Sequence, residues 1–210
     1  MEIMTSITLL GDSIIDNKTY VQQQEYSVLE HLQNISKNEF LQLAYDGDTT
    51  VNVLERQLQS QEVAKSSHLV LSIGGNDLLQ NILFLHDGPI ENINKALSDV
   101  HKQILKPLEQ RFETIVEKLS SHRANLLLCT VYEGDLGRTD EFRDVLDSSK
   151  IMVSSFNDTV YKTASKYNAD VLELRHIFTS PEDYANPIEP SHVGGEKLAQ
   201  AIMVWIQKTL

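Results

Sequence analysis

The sequence predicts an α/β fold: a three-layer α/β/α sandwich built on a five-stranded parallel, flavodoxin-like sheet. Three observations predict it. Five short apolar runs are spaced along the chain, each of strand length. Longer stretches of helical periodicity separate them, and strictly alternating strand and helix produces a parallel sheet covered on both faces. The composition, 41% hydrophobic and 23% charged, is that of an ordinary globular chain, and 210 residues suffice to bury a core as a single domain, 1–210.

The elements follow in order. Ile7–Leu10 is the first predicted strand, and Val21–Ile35 the first amphipathic segment. Phe40–Ala44 precedes the helical stretch Val51–Val63. Leu69–Ile73 precedes the long stretch Ile90–Leu119, where Pro107 predicts a kink or break because proline lacks the N–H and clashes with the preceding turn. Leu126–Thr130 leads into Val131–Asp147, a polar stretch with two glycines that reads as a long loop. Ile151–Tyr167 and Val171–Leu174 form the next helix and last strand. Glu196–Gln207 closes the chain, with Leu198, Ala201, Ile202, Trp205 and Ile206 at i, i+3, i+4, i+7, i+8 spacing.

Charge and cysteine content exclude several functions. The formal net charge is -12, which repels phosphate backbones and disfavours docking on anionic lipid, so nucleic acid is not an expected partner. The single cysteine, Cys129, can form no intrachain disulfide and no cysteine-based zinc site. It ends an apolar run and reads as a buried small hydrophobe. The opening residues Met1–Ser6 carry no basic segment followed by an apolar one of secretory length. No stretch approaches the roughly 20 apolar residues that span a bilayer, so no integral membrane contact is expected. A cytoplasmic address is therefore expected. Phosphate-binding loops of the Gly-x-x-x-x-Gly-Lys-Ser/Thr and Gly-x-Gly-x-x-Gly types are absent, which removes the nucleotide-binding reading.

In a doubly wound sheet, ligands bind beyond the carboxyl ends of the strands, so chemistry is sought just after each strand. Four stretches stand out. Gly11-Asp12-Ser13 presents a serine at the exit of the first strand, where it serves equally as a helix N-cap. Asp46-Gly47-Asp48-Thr49 follows the second strand and is compatible with an ordinary turn. Gly74-Gly75-Asn76-Asp77 follows the third, where the Asn76 amide can donate to a developing oxyanion. Glu189-Pro190-Ser191-His192, in a proline-rich turn before the last helix, places an acid three residues before a histidine. Asp12 and Asp77 read as turn-stabilising residues. Glu173 and His176 copy the acid-x-x-His spacing without a glycine-rich helix entry behind it.

Together, in this order, the four stretches resemble the SGNH hydrolases, the GDSL-like lipases and esterases, from Gly11 to the terminal helix. The resemblance implies a serine hydrolase that cleaves carboxylic esters through an acyl-enzyme, with short-chain acyl or acetyl esters as small-molecule substrates and no cofactor or metal. It implies Ser13 as nucleophile, His192 as base, and an oxyanion hole formed by Ser13, Gly47 and Asn76. Two departures from the family pattern are present. Ile14 replaces the leucine of Gly-Asp-Ser-Leu. The usual Asp-x-x-His block has Glu189 where aspartate is expected, so the resemblance gives Glu189 the orienting role, with Asp183 as its fallback. The activity is then expected to rise as His192 loses its proton, near the unperturbed value of roughly 6.5. Competing expectations are a non-catalytic binding protein on the same fold and a thioesterase or lysophospholipase. Leu78, Leu79, Ile82 and Leu83, with the region Leu83–Pro89 and the loop Val131–Asp147, are candidates to shape an acyl pocket.

Overall fold

A computed structural model describes residues 5–81 and 92–210. Strands β1 (Ser6–Gly11), β2 (Glu39–Gln42), β3 (His68–Ser72), β4 (Asn125–Cys129) and β5 (Asp170–Leu172) form one all-parallel sheet in the order β2-β1-β3-β4-β5. The registers run Ile7 to Phe40 and His68, Leu69 to Leu126, and Leu128 to Val171. The predicted architecture is thus the one observed. Its strand order reverses at β1, and the crevice between the ends of β1 and β3 is the topological switch point where such sheets bind ligands.

Two-residue periodicity divides the core. Leu10, Leu69, Leu71, Ile73, Leu126 and Leu128 face one layer, and Ile7, Leu9, Val70, Leu127 and Cys129 the other. On the first face pack α2 (Thr50–Glu55), α3 (Gly75–Leu79), α4 (Ile93–Val100), α5 (Lys106–Ser120) and α6 (Leu146–Tyr167). Phe112 of α5 and Phe156 of α6 meet there edge to face, both fully buried. On the second face α1 (Val28–Ile35) and α7 (His192–Thr209) bury Val28, Leu32, Leu198, Ile202 and Ile206. Cys129 is buried, and desolvation pushes its thiol up to about 12, which makes it an inert packing residue.

The helices differ from the expected boundaries for local reasons. The first starts at Val28 instead of Val21, because Ser27 and Glu30 form a reciprocal capping box that fixes the N-terminus. The second ends at Glu55, and the chain continues in two 3₁₀ turns. Gln57, in the first of these, turns inward. Its Oε1 accepts from Gly11 N at 2.8 Å and its Nε2 donates to Gly11 O at 2.7 Å. Continuing the helix would not supply those bonds to the end of β1. Near Pro107 the helix does not break. A π-helical turn at His101–Leu105 widens the backbone just before the proline, which occupies the first turn of α5 where no N–H is needed. The stretch Val131–Asp147 carries two 3₁₀ turns, and α6 begins at Leu146 instead of Ile151. Ile82, Leu83 and the segment to Pro89 lie outside the described residues.

Candidate active site

The end of β1 lies so close to β3 that only glycine fits. A Cβ on Gly11 would sit 1.8 Å from the Ser72 carbonyl oxygen, and its φ of +133° is itself unfavourable for any side chain. The chain then makes a tight turn. Asp12 N donates to Ser72 O, Asp12 Oδ1 accepts from Ile14 N at 3.1 Å, and Asp16 N donates to Asp12 O at 2.9 Å. Asp12 therefore does hold the local turn. Burial drives its carboxyl well above the usual carboxylate range, and the neighbouring Glu189 and Asp77 push the same way. This turn delivers Ser13, 4% exposed, to the mouth of the crevice.

From β3, Gly74 adopts φ +118° and lets α3 begin one residue later. Asn76, in the first turn of α3, reaches across to Asp48, whose carbonyl accepts from its Nδ2 at 2.9 Å. That bond uses one amide hydrogen, fixes the amide plane, and leaves the other hydrogen available. Asp77 ties the neighbouring helix in place. Its carboxylate accepts from Thr50 N at 2.9 Å, Thr50 Oγ1 at 2.6 Å and Arg111 Nη2 at 3.0 Å. Gly47 is exposed at the tip of the β2–α2 turn, with φ +82°, and is not among the lining residues of the crevice pocket.

That pocket joins Ser13 and Asn76 to Glu189. Its apolar wall comes from Leu78, Leu79, Val131, Leu136, Met152 and Val153. Among the described lining residues there is no lysine, arginine or histidine. Glu189 is 6% exposed and its carboxyl engages the Ser13 side chain. Its Oε2 is buried without a hydrogen-bond partner. Desolvation raises it to about 7, against the lowering effect of Ser13, with the Asp46 charge adding to the rise. The main chain around it is tightly held. Asn186 Oδ1 accepts from both Ile188 N and Glu189 N at 2.9 Å, Ala185 N donates to Glu189 O at 2.9 Å, and Tyr132 donates its hydroxyl to Ile188 O.

His192 corrects the expectation. It is the first residue of α7, and its ring lies against His31 of α1. Its Nδ1 accepts from Tyr26 N at 3.1 Å and lies 3.1 Å from His31 Nε2, with the two imidazole centroids 4.7 Å apart. It lines a separate surface groove with Tyr26, His31, Asn34, Ile35, Glu196 and Gln200. The physical reason is the cap. Ser191 caps α7 by accepting from Gly194 N, and its own N–H is held by Asp183 O at 2.9 Å. His192 is thereby locked into the first helical turn, facing away from the crevice. Glu189 consequently does not orient His192. Asp183, the fallback, is fully buried and paired with Lys197 at 2.7 Å, while its Oδ2 accepts from Thr179 N and Ser180 N. The acid-x-x-His spacing that the sequence suggested for Glu189 and His192 runs also from Asn186 to Glu189, and it is this register that reaches Ser13. The signal was present in the sequence as Asn186-x-x-Glu189, but neither residue has the family's chemistry, so residue type favoured His192. Glu173, the other acid of that spacing, is structural. Burial would raise it, but Arg175, Tyr161 and Thr130 bring it down to about 2.

Comparison with known proteins turns this geometry into a family assignment. Residues 9–194 match the model of the GDSL-like lipase/acylhydrolase family. The chain belongs to that family. Ester hydrolysis is supported at the level of the family as a whole. No curated protein sequence matches the chain. Among solved structures, it is similar to an extracellular lipase from Streptomyces rimosus, at 15% identity and TM-score 0.73, covering 96% of this chain and 99% of that one. It is also similar to a catalytic mutant of the acetylxylan esterase Axe2 from Geobacillus stearothermophilus, at 16% identity and TM-score 0.70 over 98% and 96% of the two chains. A lipase/acylhydrolase from Enterococcus faecalis is 18% identical with TM-score 0.68, over 99% and 97%. At such identities these likenesses establish the shared fold. One of these proteins is extracellular, so the fold carries no cellular address. No helix among the described residues is long and apolar enough to cross a membrane. Nor, among those residues, do three or more histidine, cysteine, aspartate or glutamate side chains cluster as a metal site would require.

Proposed function

We propose that the protein hydrolyses carboxylic esters of small molecules, with Ser13 as the nucleophile. The observation that carries this reading is the convergence of Ser13, Asn76 and a buried carboxyl on one apolar pocket at the switch point of the sheet. Attack by Ser13 Oγ on an ester carbonyl forms a tetrahedral intermediate. Its oxyanion is met by the free hydrogen of the Asn76 amide and by the backbone N–H of Ser13, neutral donors that need no metal. Collapse expels the alcohol and leaves an acyl-Ser13 ester, which water then cleaves. Leu78, Leu136, Met152 and Val153 offer the acyl group an apolar wall, which favours chains longer than acetyl.

The test is hydrolysis of a p-nitrophenyl ester series, from acetyl to dodecanoyl, by wild type and Ser13→Ala. The expected result is turnover that increases past acetyl and a loss of roughly a thousandfold or more in Ser13→Ala. Equal rates for the two proteins would sink the proposal. A second reading, a ligand-binding protein without turnover, is favoured by one specific observation: among the described residues no imidazole lines the pocket. Thermal stabilisation by long-chain acyl compounds, with no release of p-nitrophenolate from any ester, is its signature.

A further inference from the structure

We infer that Glu189, and not a histidine, takes the hydroxyl proton of Ser13, so that this chain runs its chemistry on a serine–glutamate dyad; the inference rests on Ser13 being the nucleophile. Four observations carry it. The Glu189 carboxyl engages the Ser13 side chain in the pocket. Its Oε2 is buried without a hydrogen-bond partner, a lone-pair oxygen kept free of structural bonds, whereas three other buried acids nearby are held by cationic partners. Asp77 is held by Thr50 and Arg111, Asp183 by Lys197, and Asp48 by Arg56 and Gln57. His192 is engaged with Tyr26 and His31 on another surface. Finally, Asn186 clamps the two N–H groups that precede the carboxyl, which sets its position without neutralising it.

A carboxyl is an effective base toward a hydroxyl only when its basicity is raised. Burial of Glu189 does most of this, and the charge of Asp46 in the β2–α2 turn adds to it. Asp12, just after β1, Tyr20, and Tyr132 after β4 face it as well; its charge raises their ionisations in turn, and none of them is a cation. Its ionisation therefore falls near neutrality instead of near 4.5. In the first step the Ser13 O–H bond breaks, its proton joins Glu189, and the Oγ–C bond forms. On collapse the same proton passes to the departing alkoxide, which restores the carboxylate. It then accepts a proton from the water that attacks the acyl-enzyme, and returns it to Ser13.

The decisive experiment reads Ser13 reactivity without requiring a natural substrate. Wild type, Glu189→Gln, Glu189→His, Asp12→Asn and Ser13→Ala are treated with an alkyl p-nitrophenyl phosphonate. Bond formation from Ser13 to phosphorus releases p-nitrophenolate and leaves an adduct visible by mass spectrometry. Expected for wild type is a labelling rate that rises with pH to a plateau, inflecting near 7. Organic cosolvent should move that inflection upward, as for a neutral acid, whereas an imidazolium would move down. Glu189→Gln should lose roughly a hundredfold or more at the plateau. Glu189→His should recover part of the rate with an inflection near roughly 6.5. Labelling of Glu189→Gln at the wild-type rate and pH profile overturns the inference, as does a loss confined to Asp12→Asn, or a wild type that does not label at all. Because His86 lies outside the described residues, His86→Ala is included, and a loss as deep as that of Ser13→Ala would reassign the base. Labelling that follows the expected pattern in a protein that cleaves no ester would refute the proposed function while leaving the dyad standing.

Discussion

A base kept unpaired and desolvated costs stability, and the structure sets the size of that cost. Glu189 binds its proton more tightly when folded, near 7, than in the unfolded chain, near 4.5. A group raised on folding contributes stability that is complete below its unfolded value and is lost as the pH climbs through its folded one. Glu189 therefore destabilises the protein progressively from about pH 4.5 to 7. At about 1.4 kcal/mol for each pH unit, the full effect is on the order of 3 kcal/mol at pH 8, an upper figure for a carboxyl that is 6% exposed. Replacing Glu189 by glutamine removes the ionisation and keeps the shape. The expected outcome at pH 8 is a Tm raised by roughly 6–12 °C, on the scale of about 2–4 °C per kcal/mol for a chain of this size, with esterase activity lost. At pH 4.5 the two proteins should melt together. Differential scanning calorimetry at both pH values decides it. A Tm difference that is the same at pH 4.5 and pH 8, or a Glu189→Gln protein less stable at pH 8, would refute the claim that a buried charge is the source of the cost.

Other perturbations test neighbouring parts of the argument. His192→Ala should retain ester hydrolysis within about twofold and lose about 1 kcal/mol in urea unfolding, because Tyr26 N loses its acceptor; a hundredfold fall in kcat would return His192 to the catalytic machinery. Asn76→Ala should lower kcat roughly 10²–10³-fold with KM little changed, measured by steady-state kinetics. Gly11→Ala should fail to accumulate as folded protein in a soluble-expression assay, since its Cβ has no room beside the Ser72 carbonyl. Phe156→Ala should cost about 3–5 kcal/mol in denaturant unfolding, as it empties a fully buried site against Phe112.

Much of the fold was legible because its signals are local. Five apolar runs separated by amphipathic stretches specify a parallel sheet, and each run lies within two residues of an observed strand boundary. Helix starts were less legible. Val21 looked as helical as Val28 until the Ser27–Glu30 box fixed the first turn, and Gln57 ended α2 in order to serve Gly11, forty-six residues earlier in the chain. Such long-range bonds leave no periodic trace.

The sequence by itself determined the layered architecture, the family, and the delivery of Ser13 and Asn76 to strand exits, because each depends on residue type and short-range spacing. Only the tertiary structure decided which end of the Glu189–His192 tetrapeptide faces the serine. Both carry groups able to accept a proton, and spacing treats them alike. The choice was made by the Ser191 cap, which turns His192 toward α1, and by the Asn186 clamp, which leaves a desolvated carboxyl beside Ser13. Side-chain direction at a helix entry is set by what packs around it, and those neighbours come from distant parts of the chain.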